Sequence, residues 1–301
     1  MRFGISIPQS VADGDFDPAS FRAYLSRAEE LGFEGAWTTE QVLGAGPRLG
    51  PIEAMTYAAA CSERLRVGCA VFVTPLHSPV HLAKSLSTLD QLSRGRLDVG
   101  VGTGGQHRPF EAFGVDPATF VARFTEGLRV MKACWTEPRI DVEGRFFRLS
   151  GAAMEPKPFQ KPHPPIWFGG SHPTALRRAV RHGDAFMGAG STTTAAFAEQ
   201  VKVVRAELEE RSRGSFPIAK RVYIAVDDDP ARAHRRISAA LERLYGGGRD
   251  LSPVAVSGTA EDCVKGLRQV IDAGAEMILL NPLDDERAQM ERLAAEVMPH
   301  L

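Results

Sequence analysis

The segment Phe168-Gly169-Gly170-Ser171-His172-Pro173-Thr174 sets two glycines and a serine just ahead of a proline that can open a helix. A chain running from strand to helix through such a turn aims backbone N–H groups and the positive end of the helix dipole at one spot, which suits a phosphate. Glycines that merely let the chain turn are the plainer reading, but Ser171 and Thr174 add hydroxyl donors that a turn does not require. A second stretch, Gly100-Val101-Gly102-Thr103-Gly104-Gly105, carries four glycines in six residues and removes side chains where a planar ligand could approach the backbone. A flexible rim is the alternative there. Val71, Phe72 and Val73 would form an apolar wall opposite it.

Acids and bases are scarce among the positions that could react. Glu40, Gln41 and His107 are the candidates, and of the histidines only His107 and His172 fall near expected strand ends. The first strand leaves through Ser6-Ile7-Pro8-Gln9, where a metal-dependent barrel hydrolase would need histidine or carboxylate ligands, so a metal site is not expected. Cys61, Cys69, Cys134 and Cys263 are scattered without a CxxC pair and read as reduced thiols of a cytoplasmic protein.

The elements that would carry these residues alternate. A β-rich run at Phe3–Pro8 precedes a helix entered through Asp17 and Pro18 and ended by Gly32, with Phe21, Leu25, Ala28 and Leu31 on one stripe. Strands follow at Gly35–Thr39, Arg66–Thr74, Leu97–Gly102, Pro165–Gly169, Asp184–Gly188, Arg221–Val226 and Glu276–Asn281. Helices are expected from Pro51 to Arg64, after a Ser78–Pro79 cap, near Thr119–Trp135, up to Arg181, and lastly from Thr259, which forms a capping-box pattern with Asp262. Ile140–Leu149 reads as a hairpin turning at Glu143–Gly144.

Continuous apolar runs such as Val67–Val73 and Leu97–Val101 are those of parallel strands covered on both faces. Eight of them, separated by helices, give a single-domain (β/α)8 TIM barrel over residues 1–301, with an insertion between strands four and five; a doubly wound open sheet is the runner-up. In a barrel the reactive groups come from the carboxyl ends of the strands, here Gln9, Glu40, Gln41, Thr74, Thr103–Arg108, Gly169–His172, Gly188–Ser191 and Asn281. Lys and Arg number 36 against 37 Asp and Glu, so no net field favours nucleic acid or an anionic membrane over a small molecule. No stretch approaches the roughly 20 apolar residues of a membrane span.

Taken in order, several runs resemble the luciferase-like monooxygenase superfamily: Arg66-Val67-Gly68-Cys69-Ala70-Val71, Ser78-Pro79, Leu82-Ala83-Lys84, Thr88-Leu89-Asp90-Gln91-Leu92-Ser93, and Gly95-Arg96-Leu97 through Gly104. Glu143-Gly144-Arg145-Phe146-Phe147, Pro164 to Gly170, Ala175 to Ala179 and Gly183-Asp184-Ala185-Phe186 continue the resemblance over nearly the whole chain. It implies a TIM barrel, commonly a homodimer, that binds FMN or the deazaflavin coenzyme F420. The pattern is most similar to the deazaflavin-using branch, where a non-proline cis peptide under the ring would fall at Ala70–Val71.

Carried over by position, the resemblance puts Glu40, Ala70, Val71, Thr103, Gly104 and Arg108 near the cofactor and Gly169, Gly170, Ser171 and His172 on its phosphate. Sugar-phosphate dehydrogenases of the superfamily pair a histidine after strand two with a glutamate after strand four, whereas this chain has Gln41 and Gly105 there. General acid–base help contributes a factor of about 10²–10⁴, so alcohol oxidation by that route is not expected. The reading that follows is an F420-dependent oxidoreductase moving a hydride to or from a small organic substrate. Its alternatives are an FMN-dependent monooxygenase supplied by a separate reductase, and a barrel that binds a flavin-type ligand without turnover.

Overall fold

The computed structural model describes residues 1–11, 15–44, 46–105, 110–246 and 250–301. Strands and helices alternate as β1 (Arg2–Ser6), α1 (Pro18–Glu30), β2 (Gly35–Thr38), α2 (Pro51–Cys61), β3 (Arg66–Cys69), β4 (Phe72–Val73), α3 (Pro79–Leu92) and β5 (Leu97–Gly102). They continue through α4 (Phe120–Thr136), β6 (Ile140–Glu143), β7 (Arg148–Ala152), β8 (Ile166–Gly169), α5 (Pro173–His182), β9 (Ala185–Gly188) and α6 (Thr194–Glu210). The last elements are β10 (Ile218–Val226), α7 (Pro230–Tyr245), β11 (Ala255–Gly258), α8 (Ala260–Asp272), β12 (Met277–Asn281) and α9 (Glu286–Arg292). The fold is the (β/α)8 TIM barrel expected from the alternation. No helix of the described residues is long and apolar enough to cross a membrane.

The chain groups into two compact units, one formed by Met1–Pro8, Asp17–Trp37 and Phe168–Leu301, the other by Gln9–Phe16 and Thr38–Trp167. In the first, β1 pairs in parallel with β2 and β12, and β10 with β9, β11 and β12. Asp17 caps α1 by accepting from the Ala19 N–H, Pro18 occupies its first turn, and Phe21, Tyr24, Leu25 and Ala28 are its buried stripe. Leu31 lies outside the helix as its C-cap and stays half-exposed, and Gly32 follows with φ +86°. The capping box at Thr259 and Asp262 is formed in both directions. The helix it starts is not the last, because α9 follows β12; β11, with its polar Ser257-Gly258 end, is also a strand that apolar patterning does not show.

In the second unit the expected third strand is broken. Val67 pairs with Leu97 and Phe72 with Val101, so five steps along one strand are matched by four along the other. That is the signature of a bulge, which re-aims side chains locally. The Ala70–Val71 peptide inside the break is cis. Gly100 accommodates this course, since a Cβ there would lie 1.8 Å from the Cys69 carbonyl oxygen. Ser78 sits at the N-cap of α3 but its side chain makes no cap bond; Pro79 in the first turn marks that start instead. The hairpin extends to Ala152, and its turn is held by Glu126, which accepts from the N–H groups of Arg145, Phe146 and Phe147 at 3.1, 2.8 and 2.8 Å.

Candidate active site

In the second unit, β2 hands over at Thr38 to Thr39 and Glu40. The Glu40 side chain is 2% exposed, and a carboxylate so deep must find donors. It finds two: the Val73 N–H donates to Oε2 at 2.6 Å, and His77 Nε2 donates to Oε1 at 2.7 Å. Two residues back, the Thr38 carbonyl accepts from the Ala70 N–H at 2.8 Å, while Thr38 Oγ1 donates to the Gly68 carbonyl at 3.2 Å. The end of β2 therefore holds the bulged segment on both sides of Ala70–Val71. The ring of Phe72 meets that of His77 edge-on at 6.3 Å.

His77 is the residue that sequence reasoning passed over. It lies three residues beyond Thr74, where the third strand was expected to end, and that offset onto the following loop was the available signal.

Ala70 and Val71 are half-buried between fully buried Cys69 and Phe72. The expected wall of Val71, Phe72 and Val73 is thus narrower: Phe72 is buried, and Val73 packs with Phe110 and Val115. Thr103 and Gly104 are half-buried at the end of β5, with Gly104 at φ +72° and Thr103 Oγ1 donating to the Gly104 carbonyl. Gln41 is half-exposed and lies against Gly44. Gln9 is structural: its amide donates to the carbonyls of Thr39 and Leu49 at 2.9 and 3.0 Å and accepts from the Thr39 N–H. His107 and Arg108 lie outside the described residues. Within this unit the structure brings Glu40 to the Ala70–Val71 segment, and it leaves a half-exposed face poor in side chains, which fits a flat ring.

In the first unit, β8 ends at Gly169 and α5 begins at Pro173. His172 is the N-cap, its Nδ1 accepting from the Thr174 N–H at 3.3 Å. Ser171, His172 and Thr174 are exposed, and the N–H groups of Gly170, Ser171 and His172 have no acceptor among the described residues. Three unpaired donors at the start of a helix fit a phosphate.

Beside them in sequence, the loop after β9 is tied down by Lys220, whose Nζ donates to the carbonyls of Ala189 and Arg221. Burial, and next the adjacent Arg221 charge, push that amine down to about 7. Asn281 ends β12, where its Oδ1 accepts from Arg221 Nε at 2.7 Å. Among the described residues no three His, Cys, Asp or Glu side chains converge as a metal ion would require.

A family model described as luciferase-like monooxygenase matches residues 1–255. An F420-dependent glucose-6-phosphate dehydrogenase of Intrasporangium calvum is 26% identical over 95% of this chain and 96% of its own length. An FMNH(2)-dependent dimethylsulfone monooxygenase of Pseudomonas putida is 34% identical over 49% of this chain, which spans 41% of that protein. The crystal structure of the monooxygenase RslO1 from Streptomyces bottropensis superposes with a TM-score of 0.86 at 24% identity, covering 100% of this chain and 99% of that one, a likeness of fold.

Proposed function

The chain belongs to the luciferase-like monooxygenase family, and from that premise we propose that it is an F420-dependent oxidoreductase that moves a hydride between the deazaflavin and a small organic substrate. One observation carries the reading: Glu40, the acid expected beside the ring, has both carboxylate oxygens committed to Val73 and His77. Gln41 and Gly105 stand where the dehydrogenase pair of histidine and glutamate would be. With this acid spent on holding a strand, the reactive chemistry is left to a cofactor.

When bound, the deazaflavin would supply or accept the hydride. The chain's own residues bind and orient: Ala70, Val71, Thr103 and Gly104 are the ring-side positions, and Gly169, Gly170, Ser171 and His172 the phosphate positions. Glu40 and His77 fix the course of the segment that contains Ala70 and Val71. The near full-length match to an F420-dependent relative supports the deazaflavin.

A second reading, FMN-dependent monooxygenation with reduced flavin supplied by a separate reductase, is favoured by the 34% identity to an FMNH(2)-dependent enzyme over about half of this chain. Calorimetric titration of the purified protein with F420 and with FMN tests the proposal. Tight binding of F420 with weak FMN binding is expected. Binding of reduced FMN alone, with oxygen consumed and a hydroxylated product, would replace it by the second reading.

A further inference from the structure

Among the described residues, Arg221 is a fixed cation without an anion. It lies on β10 one residue past Lys220, which is level with Gly188, the last residue of β9; two residues further, Tyr223 is level with Asn281, the last residue of β12. Its side chain is therefore placed where the neighbouring strands end, the end of a barrel at which ligands are handled.

Two contacts hold it. Asn281 Oδ1 accepts from Nε at 2.7 Å, which sets the plane of the guanidinium. The Tyr223 ring lies 4.9 Å from the guanidinium carbon, a cation–π contact. Tyr223 is itself pinned, with its hydroxyl 2.7 Å from that of Tyr245 and its ring against Gly190, where a Cβ would lie 2.7 Å from the ring edge.

Three other half-buried arginines meet carboxylates, Arg66 with Asp98, Arg236 with Asp227 and Asp284, and Arg292 with Asp228 and Glu296, whereas Arg96 is completed by the carbonyls of Ala59, Leu65 and Ser93. Arg221 meets no carboxylate among the described residues, and its neighbour in sequence is another basic residue, Lys220. The two Nη groups of Arg221 have no partner among the described residues and stay open to solvent, so an anion can reach them. Its two Nη groups form the fork that matches two oxygens of an oxyanion.

We propose that Arg221, set by Asn281 and Tyr223, is a subsite for a carboxylate or similar oxyanion. The inference adds a ligand chemistry to the function proposed above, and rests on that function only for whether the anion is borne by the substrate or by the cofactor.

The test uses the full-length protein and two probes of one shape, benzoate and neutral benzamide, titrated calorimetrically in the absence of cofactor. The wild type is expected to prefer benzoate by about ten- to hundredfold, the range of a hydrogen bond to a charged group. Arg221→Gln should lose the preference, and Arg221→Lys, which keeps the charge without the fork, should retain part of it. Equal benzoate binding by wild type and a folded Arg221→Gln would overturn the subsite, as would absence of any preference in the wild type. Asn281→Leu, which frees the guanidinium plane while leaving the charge, should weaken the preference independently if Arg221→Gln fails to fold.

F420 and FMN titrations of the same variants separate the two sources. Cofactor affinity lowered about tenfold by Arg221→Gln assigns the anion to the cofactor, and unchanged affinity assigns it to the substrate. Failure of the wild type to bind either cofactor would overturn the proposed function and leave the benzoate result standing.

Discussion

His77 Nε2 lies 2.7 Å from Glu40 Oε1, and the other oxygen of the same carboxylate takes the N–H of Val73, so an acid after the second strand is committed to the segment that follows the third. Removing His77 leaves a buried carboxylate one donor short. His77→Ala is expected to lower the unfolding free energy by about 1–3 kcal/mol in urea titrations, and His77→Gln, whose amide can still donate, by less. Glu40→Gln keeps an acceptor for one donor and loses the charge, so it should lower turnover more than cofactor affinity. Equal losses in both would place Glu40 in direct contact with the cofactor instead.

Gly100 offers a sharper steric test. An added methyl would lie 1.8 Å from the Cys69 carbonyl oxygen, and backbone cannot yield as a flexible side-chain tip does. Gly100→Ala should cost roughly 1–3 kcal/mol or more, as overpacking does, and displace the Ala70–Val71 segment. Gly105→Ala is the control, because nothing among the described residues lies within 4 Å of its added Cβ. A melting temperature lowered only by the first variant, with cofactor binding lost in parallel, is the expected outcome.

The apolar runs at Val67–Val73 and Leu97–Val101 made the parallel strands readable, because strands covered on both faces need no alternation. The break inside the first of those runs was not visible as a pattern: Ala70 and Val71 are as apolar as their neighbours, and a register change of one residue leaves composition untouched. Its position was legible only through the family resemblance. Asp17-Pro18 and Thr259 marked helix starts because caps act locally, whereas β11 depends on pairing with β10 and carries no local mark. His77 was hidden for a similar reason. Its partner, Glu40, is 37 residues away in sequence, and no spacing rule joins them.

Ser171 tests the phosphate segment without disturbing the fold, since it is exposed and lies just before the N-cap of α5. Ser171→Glu would set a negative charge beside the unpaired N–H groups of Gly170 to His172. Cofactor affinity measured by calorimetry should fall about tenfold or more, equivalent to about 1.4 kcal/mol, with the melting temperature unchanged. Ser171→Ala should cost less, because it removes one hydroxyl and adds no repulsion. Full affinity in the Ser171→Glu variant would take this segment out of the site.

Lys220 makes a prediction about pH. Burial, and then the charge of Arg221, lower its amine to about 7, while in the unfolded chain it titrates near the ordinary lysine value of about 10.4. Between those values the unfolded state binds a proton that the folded state does not, so stability falls as the pH is lowered through this window and levels off below 7. The neutral amine still has hydrogens for the carbonyls of Ala189 and Arg221, so folding does not require the charged form. The slope from this one group is at most about 1.4 kcal/mol per pH unit. In urea titrations from pH 7 to 10 the difference in unfolding free energy between the wild type and Lys220→Met should show this slope, since the thiols of Cys134 and Cys263, pushed up by burial, contribute the opposite slope to both proteins alike. The comparison stops at 10 because Tyr24, whose phenol is pushed up by burial and by Glu286, contributes the opposite slope above that pH. Parallel curves for the two proteins would show that Lys220 stays charged when folded.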